Sequence, residues 1–313
     1  MAVTGEGVTI YEVGPRDGLQ NEPESVATVD KVELLRRLAA AGLTRVEATS
    51  FVSPKWIPQL ADADALAEQL PPGPTYSALV PNERGYERFQ RTPIPVAAFF
   101  LSASETHNRR NVNRSVVDHL EAFRPVAERI RADGIGLRAY VSTVCGCPYE
   151  GDVPVGNVVE VVRQLQLLGA DEVSLGDTIG VGTPRQIRGL VRTLAAEVPL
   201  GRIALHLHDT YGRALANVAA GYEEGVRTFD ASLGGLGGCP YAPGASGNVA
   251  TEDVVEDGVT GVLVREISST ALASGISEAL RMSAHDGTRR ACRSAAVKRY
   301  RWERFVQAVL DIT

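Results

Sequence analysis

Two histidines separated by one residue, His206-Leu207-His208, are the first candidates for chemistry in this chain. In an extended segment side chains alternate between faces, so both imidazoles share one face and Leu207 takes the other. Two imidazoles on one face can ligate a single divalent cation; the alternative is a hydrogen-bonded pair of histidines lining an interior. Two of the five histidines in the chain fall here, which favours the metal. Near the start, Arg16-Asp17-Gly18-Leu19-Gln20-Asn21-Glu22 sets a guanidinium beside a carboxylate. A turn with a surface salt bridge would use the same residues. Glu47 is a partner for Arg16 or a member of an ordinary interior ion pair. Asp177 is a second carboxylate for the same site or part of a turn entering a helix. The glycine-rich stretch 234–248 carries Cys239 near its middle. Glycine-rich loops move and can act as lids, and a lone thiol there becomes a proton donor or nucleophile once a cation lowers its pKa. Without such a neighbour it is an inconsequential loop thiol. Cys145 and Cys147 form C-x-C rather than C-x-x-C and read as packing residues, and Cys292 has no assigned role.

These residues need elements to position them. Eight short runs rich in β-branched and aromatic residues, at 8–13, 45–50, 75–80, 96–102, 137–143, 172–177, 203–209 and 228–234, alternate with helical patterns. In the first helical pattern Val32, Leu35, Leu38 and Ala39 repeat at helical spacing, with Thr28 as the expected N-cap and Gly42 as the stop. Another opens at Thr183-Pro184 and carries the stripe Ile187, Leu190, Val191, Leu194. Strand–helix alternation implies parallel strands with right-handed crossovers, and eight repeats favour a closed (β/α)8 TIM barrel over an open sheet. Gly14-Pro15-Arg16-Asp17-Gly18 lacks the spacing of a phosphate-binding glycine loop, which counts against the open sheet.

In a barrel the chemistry sits at the C-terminal ends of the strands. Closure places the end of strand one, with Asp17, near the end of strand seven, and the loop after strand eight brings Asn248 between them as an oxygen ligand. Two imidazoles, a carboxylate and an amide suit Mg²⁺ or Mn²⁺, and can also take Zn²⁺ or Co²⁺. With no thiolate in the set, a structural zinc cage is not indicated.

The composition restricts the alternatives. The chain has 313 residues, 44% apolar, with 32 Lys+Arg against 38 Asp+Glu and a net charge of −6. That balance gives no basic surface for nucleic acid. Four cysteines are too few for a disulfide scaffold. The N-terminus lacks a signal pattern, and the longest uncharged stretch, 231–251, is too rich in Gly and Pro to span a bilayer. A cytoplasmic protein without a membrane partner is expected.

The residues Tyr11-Glu12-Val13-Gly14-Pro15-Arg16-Asp17-Gly18-Leu19-Gln20-Asn21-Glu22, the 234–248 loop and Val249-Ala250-Thr251-Glu252-Asp253 resemble hydroxymethylglutaryl-CoA lyase, of the metal-dependent barrel lyase and synthase superfamily. Leu175-Gly176-Asp177-Thr178-Ile179-Gly180, His206-Leu207-His208-Asp209 and Cys147-Pro148-Tyr149-Glu150-Gly151 fit as well. The resemblance covers about residues 6–253. It implies that Asp17, His206, His208 and Asn248 bind a divalent cation, Mg²⁺ or Mn²⁺. It implies that Arg16 contacts the thioester carbonyl, that Glu47 partners Arg16, and that Cys239 is the catalytic thiol. Asp177 would be a further polar group at the substrate, and Gln20 would support the site. The implied reaction cleaves 3-hydroxy-3-methylglutaryl-CoA to acetyl-CoA and acetoacetate, so the partner is a small acyl-CoA; a homodimer is compatible with this.

From residue 254 the pattern changes. The stretch 254–313 resembles the terminal segment of two-domain glycosyltransferases without their nucleotide-sugar site. The expected organisation is therefore a lyase barrel over 1–253 and an atypical helical tail over 254–313, packing on or near the barrel. In that tail Leu272, Ile276 and Leu280 form a stripe suited to cover the last strand. The competing readings are an inactive chimeric barrel and a related enzyme that condenses an acyl-CoA with a 2-oxo acid.

Overall fold

The computed structural model describes residues 8–238 and 247–255. Eight strands form: β1 (Thr9–Glu12), β2 (Arg45–Ser50), β3 (Thr75–Leu79), β4 (Val96–Ser102), β5 (Gly136–Ser142), β6 (Glu172–Asp177), β7 (Ile203–Leu207) and β8 (Thr228–Ala231). All neighbours are parallel, and β1 pairs with β2 on one side and β8 on the other, closing a (β/α)8 barrel. The helices are α1 (Thr28–Ala40), α2 (Ala63–Ala67), α3 (Glu83–Phe89), α4 (Glu105–Val112), α5 (Val116–Ala132), α6 (Val155–Leu167), α7 (Pro184–Ala195), α8 (Ala214–Glu223) and α9 (Thr251–Val255).

Local chemistry explains several boundaries. Thr183 and Gln186 form a reciprocal capping box, with Pro184 in the first turn of α7. Gly42 takes a positive φ of 89° just past α1, a conformation that favours glycine. Thr28 is not the N-cap of α1. Ala27 holds that place, and the Thr28 hydroxyl donates instead to Asp62 at 2.8 Å. A side-chain acceptor on a neighbouring element drew the hydroxyl away from its own helix.

Two strands are shorter than their apolar runs suggest. Strand β7 ends at Leu207 and β8 at Ala231, because the segment from residue 247 wedges between their ends. The Val249 N–H donates to Leu207 O at 2.9 Å and the Asp209 N–H to Gly247 O at 3.0 Å. On the other side the Ser232 N–H donates to Val249 O at 3.0 Å. His208 and Asn248 thereby face each other in an isolated antiparallel bridge.

The two faces of the sheet differ in chemistry. Leu205 and Phe229 meet α8 where Gly221 leaves room for them, and Phe99 stacks on Phe123 of α5. Facing inward instead are Arg138, Tyr140, Ser174, His206 and Asp230, joined by hydrogen bonds or ring contacts across the barrel. The apolar core is thus the ring between strands and helices, and the lumen is polar.

The chain divides into two compact units, Met1–Thr251 and Glu252–Thr313, and the barrel is the first. The tail expected over 254–313, its packing and its Leu272, Ile276 and Leu280 stripe lie outside the described residues, apart from the helical turn at 254–255. Among the described residues no helix is long and apolar enough to cross a membrane.

The outer ring should carry most of the stability. Ile187→Ala removes a fully buried side chain from α7 and should cost about 2–5 kcal/mol, read as a lower urea midpoint at unchanged slope. A loss well below 1 kcal/mol would show that α7 does not seal the sheet.

Candidate metal centre and active site

The first site residues come from a tight turn. Directly after β1, residues Gly14–Gly18 form a single π-type turn, with the Gly18 and Asp17 N–H groups both directed at Val13 O. Such turns are rare and cluster at functional sites. This one buries Arg16 and aims Asp17 across the barrel mouth toward the end of β7.

There the two histidines converge. His206 Nε2 and His208 Nε2 lie 3.2 Å apart, and Asp17 Oδ2 is 3.9 Å from His206 Nε2. One ligand atom from each of Asp17, His206 and His208 lies within 4.8 Å of the others. Two nitrogens separated by 3.2 Å fit ligands about 2.1 Å from one ion at roughly 100°. Asn248 completes the group. Its Nδ2 donates to Asp17 Oδ2 at 2.9 Å and to Leu236 O at 3.0 Å. Its buried Oδ1 makes no hydrogen bond among the described residues. A buried acceptor beside two imidazoles and a carboxylate is what a cation would satisfy. Gly237 sits against this amide with φ 107°, and a Cβ there would lie 2.7 Å from Asn248 Nδ2.

Arg16 is clamped. Its Nε donates to Glu47 Oε2 at 2.6 Å and its Nη1 to Asp17 Oδ1 at 2.7 Å, which leaves Nη2 without a partner among the described residues. The Tyr140 hydroxyl donates to the same Glu47 oxygen at 3.0 Å. Burial pushes the Glu47 carboxyl up, and the Arg16 guanidinium opposes it. For Asp17, burial also pushes upward, but Arg16 and the two histidines prevail and hold it below the usual carboxylate range. Gln20 donates to Asp17 Oδ1 at 3.2 Å.

Asp177 shares no hydrogen bond with this cluster among the described residues. It is fully buried, accepts from the Gly182 N–H at 2.8 Å, and its Oδ1 makes no hydrogen bond among the described residues. Burial raises it to about 6 against the pull of the Gly182 and Val181 amides. Cys145 and Cys147 are buried free thiols, and Cys147 accepts from Ser104 Oγ at 3.0 Å. Cys239 lies outside the described residues.

Three residues with no role assigned from their sequence prove central. Asp230 on β8 accepts from His206 Nδ1 at 3.1 Å, and Arg138 reaches it at 2.6 Å. Glu12 accepts from the Gly14 and Leu233 N–H groups and from Thr251 Oγ1, the last at 2.6 Å. It thereby ties the turn carrying Asp17 to the segment carrying Asn248. Strand alternation in Thr228-Phe229-Asp230-Ala231 was the available signal for Asp230, since it puts a carboxylate inside the barrel.

Residues 7–273 match the HMGL-like family model. The chain belongs to the HMGL-like family. The match passes residue 253, so the family pattern continues beyond the point where the motifs alone suggested a break. A Pseudomonas aeruginosa protein named 3-hydroxy-3-isohexenylglutaryl-CoA/hydroxy-methylglutaryl-CoA lyase is 52% identical over 250 residues, 79% of this chain and 83% of the relative. The solved HMG-CoA lyase of Bacillus subtilis is 50% identical with a TM-score of 0.78, covering 80% of this chain and 85% of that one. An A. baumannii HMG-CoA lyase solved with coenzyme A and 3-methylmalate is 38% identical with a TM-score of 0.77, covering 82% and 84%. This HMGL-like chain shares their barrel.

Within it, Asp177 gives a pH signature. Its carboxyl ionises near 3.8 in the unfolded chain and about 6 in the fold. Between these values the fold holds the extra proton, so stability falls as pH rises through the interval. Asp177→Asn has no such dependence. Urea denaturation of metal-free protein should show the variant gaining about 2–3 kcal/mol on the parent between about pH 4 and pH 7.5. An unchanged difference would show that Asp177 titrates normally.

Proposed function

We propose that this chain is a divalent-metal-dependent carbon–carbon lyase that cleaves 3-hydroxy-3-methylglutaryl-CoA to acetyl-CoA and acetoacetate. The observation that carries the reading is the convergence of Asp17, His206 and His208 with an Asn248 Oδ1 that makes no hydrogen bond among the described residues, in a chain about half identical to proteins named for this activity. Asp17, His206, His208 and Asn248 would hold Mg²⁺ or Mn²⁺. When bound, the cation would lower the pKa of the substrate's C3 hydroxyl and orient it.

The chain's own residues supply the rest. Cleavage of the C2–C3 bond leaves acetoacetate and the enolate of acetyl-CoA, with negative charge on the thioester oxygen. Arg16 Nη2 is the open donor for that oxygen. Glu47 and Asp17 occupy its other nitrogens, so the guanidinium does not reorganise as charge develops. Gln20 steadies Asp17 from the far side. The proton lost from the C3 hydroxyl is balanced by one gained at C2 of the acetyl product, and Cys239 is the thiol assigned to that delivery. Asp177 is assigned as a further polar group near the substrate, neutral at mildly acidic pH. The barrel acts as the lyase unit, and no role is assigned to residues 254–313.

Purified protein with Mg²⁺ or Mn²⁺ should form acetoacetate from 3-hydroxy-3-methylglutaryl-CoA, lose activity to a chelator and regain it on adding metal back. The 3-hydroxy-3-isohexenylglutaryl thioester tests whether a longer C3 chain is accepted, as the name of the Pseudomonas relative suggests. Asp17→Ala should abolish Mn²⁺ binding. Arg16→Gln should keep binding and lose roughly 10²–10³ in kcat, and Cys239→Ser should keep binding and lose roughly 10²-fold or more. Folded, metal-loaded protein without turnover would refute the proposal and favour an inactive barrel. Consumption of acetyl-CoA with 2-oxo acids would reassign it to condensation.

A further inference from the structure

We propose that Asp230 is a positioning residue for the metal centre: its carboxylate fixes the proton of His206 on Nδ1 and so presents the bare Nε2 to the ion. The inference rests on reading Asp17, His206 and His208 as a metal site, and it concerns a residue outside every sequence motif.

Asp230 is 1% exposed on β8, one strand from His206, with which it is in register. Both of its oxygens face donors. Oδ1 accepts from Arg138 Nη2 at 2.6 Å. Oδ2 accepts from Ser174 Oγ at 2.7 Å, from His206 Nδ1 at 3.1 Å and from Arg138 Nη1 at 3.3 Å. A guanidinium only donates, so Asp230 stays an acceptor, and a carboxylate acceptor requires the imidazole hydrogen on Nδ1. Arg138 cannot swing away. It is tied to Glu172 at 2.7 Å and lies over the rings of Tyr11 and Tyr140, 3.9 and 4.8 Å from their centroids.

The consequence reaches the other histidine. His206 Nε2 and His208 Nε2 face each other at 3.2 Å. In a neutral pair one of these atoms carries a hydrogen and the other accepts it. With its own hydrogen held on Nδ1, His206 is the acceptor, and His208 Nε2 holds the hydrogen that metal binding would have to displace.

The substitution Asp230→Asn separates this role from simple packing. Both oxygens face Arg138, which cannot accept, so the amide oxygen keeps the shorter contact, to Nη2 at 2.6 Å, and the amide nitrogen takes the place of Oδ2, against the longer one to Nη1 at 3.3 Å. There it donates to Ser174, whose hydroxyl can rotate, and to His206, which accepts only by moving its hydrogen to Nε2. Ser174→Ala removes a donor to the same oxygen without touching the imidazole.

Nitrogen-15 NMR of histidine-labelled, metal-free wild-type protein should show His206 as the Nδ1–H tautomer. Asp230→Asn should shift it to Nε2–H and weaken Mn²⁺ binding, followed by EPR titration, about ten- to hundredfold. Ser174→Ala should leave the tautomer unchanged. A wild-type His206 with its hydrogen on Nε2 overturns the proposal, even if the variant does not fold. So does an Asp230→Asn protein with wild-type tautomer and affinity. Wild-type protein that binds no Mn²⁺ refutes the metal reading instead, and the tautomer then judges Asp230 on its own.

Discussion

Pairing of β1 with β8 is the constraint on which the site depends. It sets Tyr11 opposite Asp230 and Glu12 opposite Ala231, and so brings the two ends of the barrel sequence to one seam. Asp17 and Asn248 are 231 residues apart in the chain, yet an amide of one donates to a carboxylate oxygen of the other. Closing so long a loop is entropically unfavourable, although the cost grows only slowly with length. Glu12 reinforces the seam. Its buried carboxylate accepts from both sides, at Gly14 and at Leu233 and Thr251, so the turn and the returning segment cannot move independently.

The polar lumen follows from what the site needs. Buried charges are expensive unless paired, and an apolar lumen of similar volume would often be neutral or more stable. Here each strongly buried cation has carboxylate partners: Arg16 with Glu47 and Asp17, Arg138 with Asp230 and Glu172. The two groups meet at Tyr140, whose ring lies beneath both guanidiniums and whose hydroxyl serves Glu47. Arg138 and Arg16 thereby stand on one rigid platform. One arginine orients a histidine through Asp230, and the other has one donor at the mouth without a partner among the described residues.

Much of this was legible in the residues themselves. The eight extended runs match the eight strands within a few residues, because β-branched runs between capped helices leave few alternatives. The alternation in His206-Leu207-His208 correctly placed both imidazoles on one side, although His208 lies just past the strand. The turn after β1 was legible as charge but not as a π-type turn, because hydrogen-bond register is not visible in residue type. Thr28 misled for a related reason: its cap partner was outbid by Asp62, which lies in a different element. Asp230 was hidden because a lone carboxylate in a strand has no spacing to mark it, and Glu12, although inside the first motif, had no partner there to give it a role. Their importance comes from neighbours supplied by other segments of the barrel.

Asn248 shows why so few residue types suit the mouth. Both hydrogens of its amide are committed, one to Asp17 and one to Leu236 O, and this fixes which way the amide lies. Its oxygen is then left without a donor among the described residues. An aspartate would lose both donated bonds and set a second carboxylate against Asp17. A longer amide would have to fold back into the space beside Gly237, where even a Cβ would crowd the existing side chain. The backbone contributes as much as the side chain, since residues 247 and 249 bond to Asp209 and Leu207 and pin residue 248 between them. The fourth candidate ligand is therefore set by a strand-like insertion between β7 and β8, and its chemistry cannot be separated from the way the barrel ends.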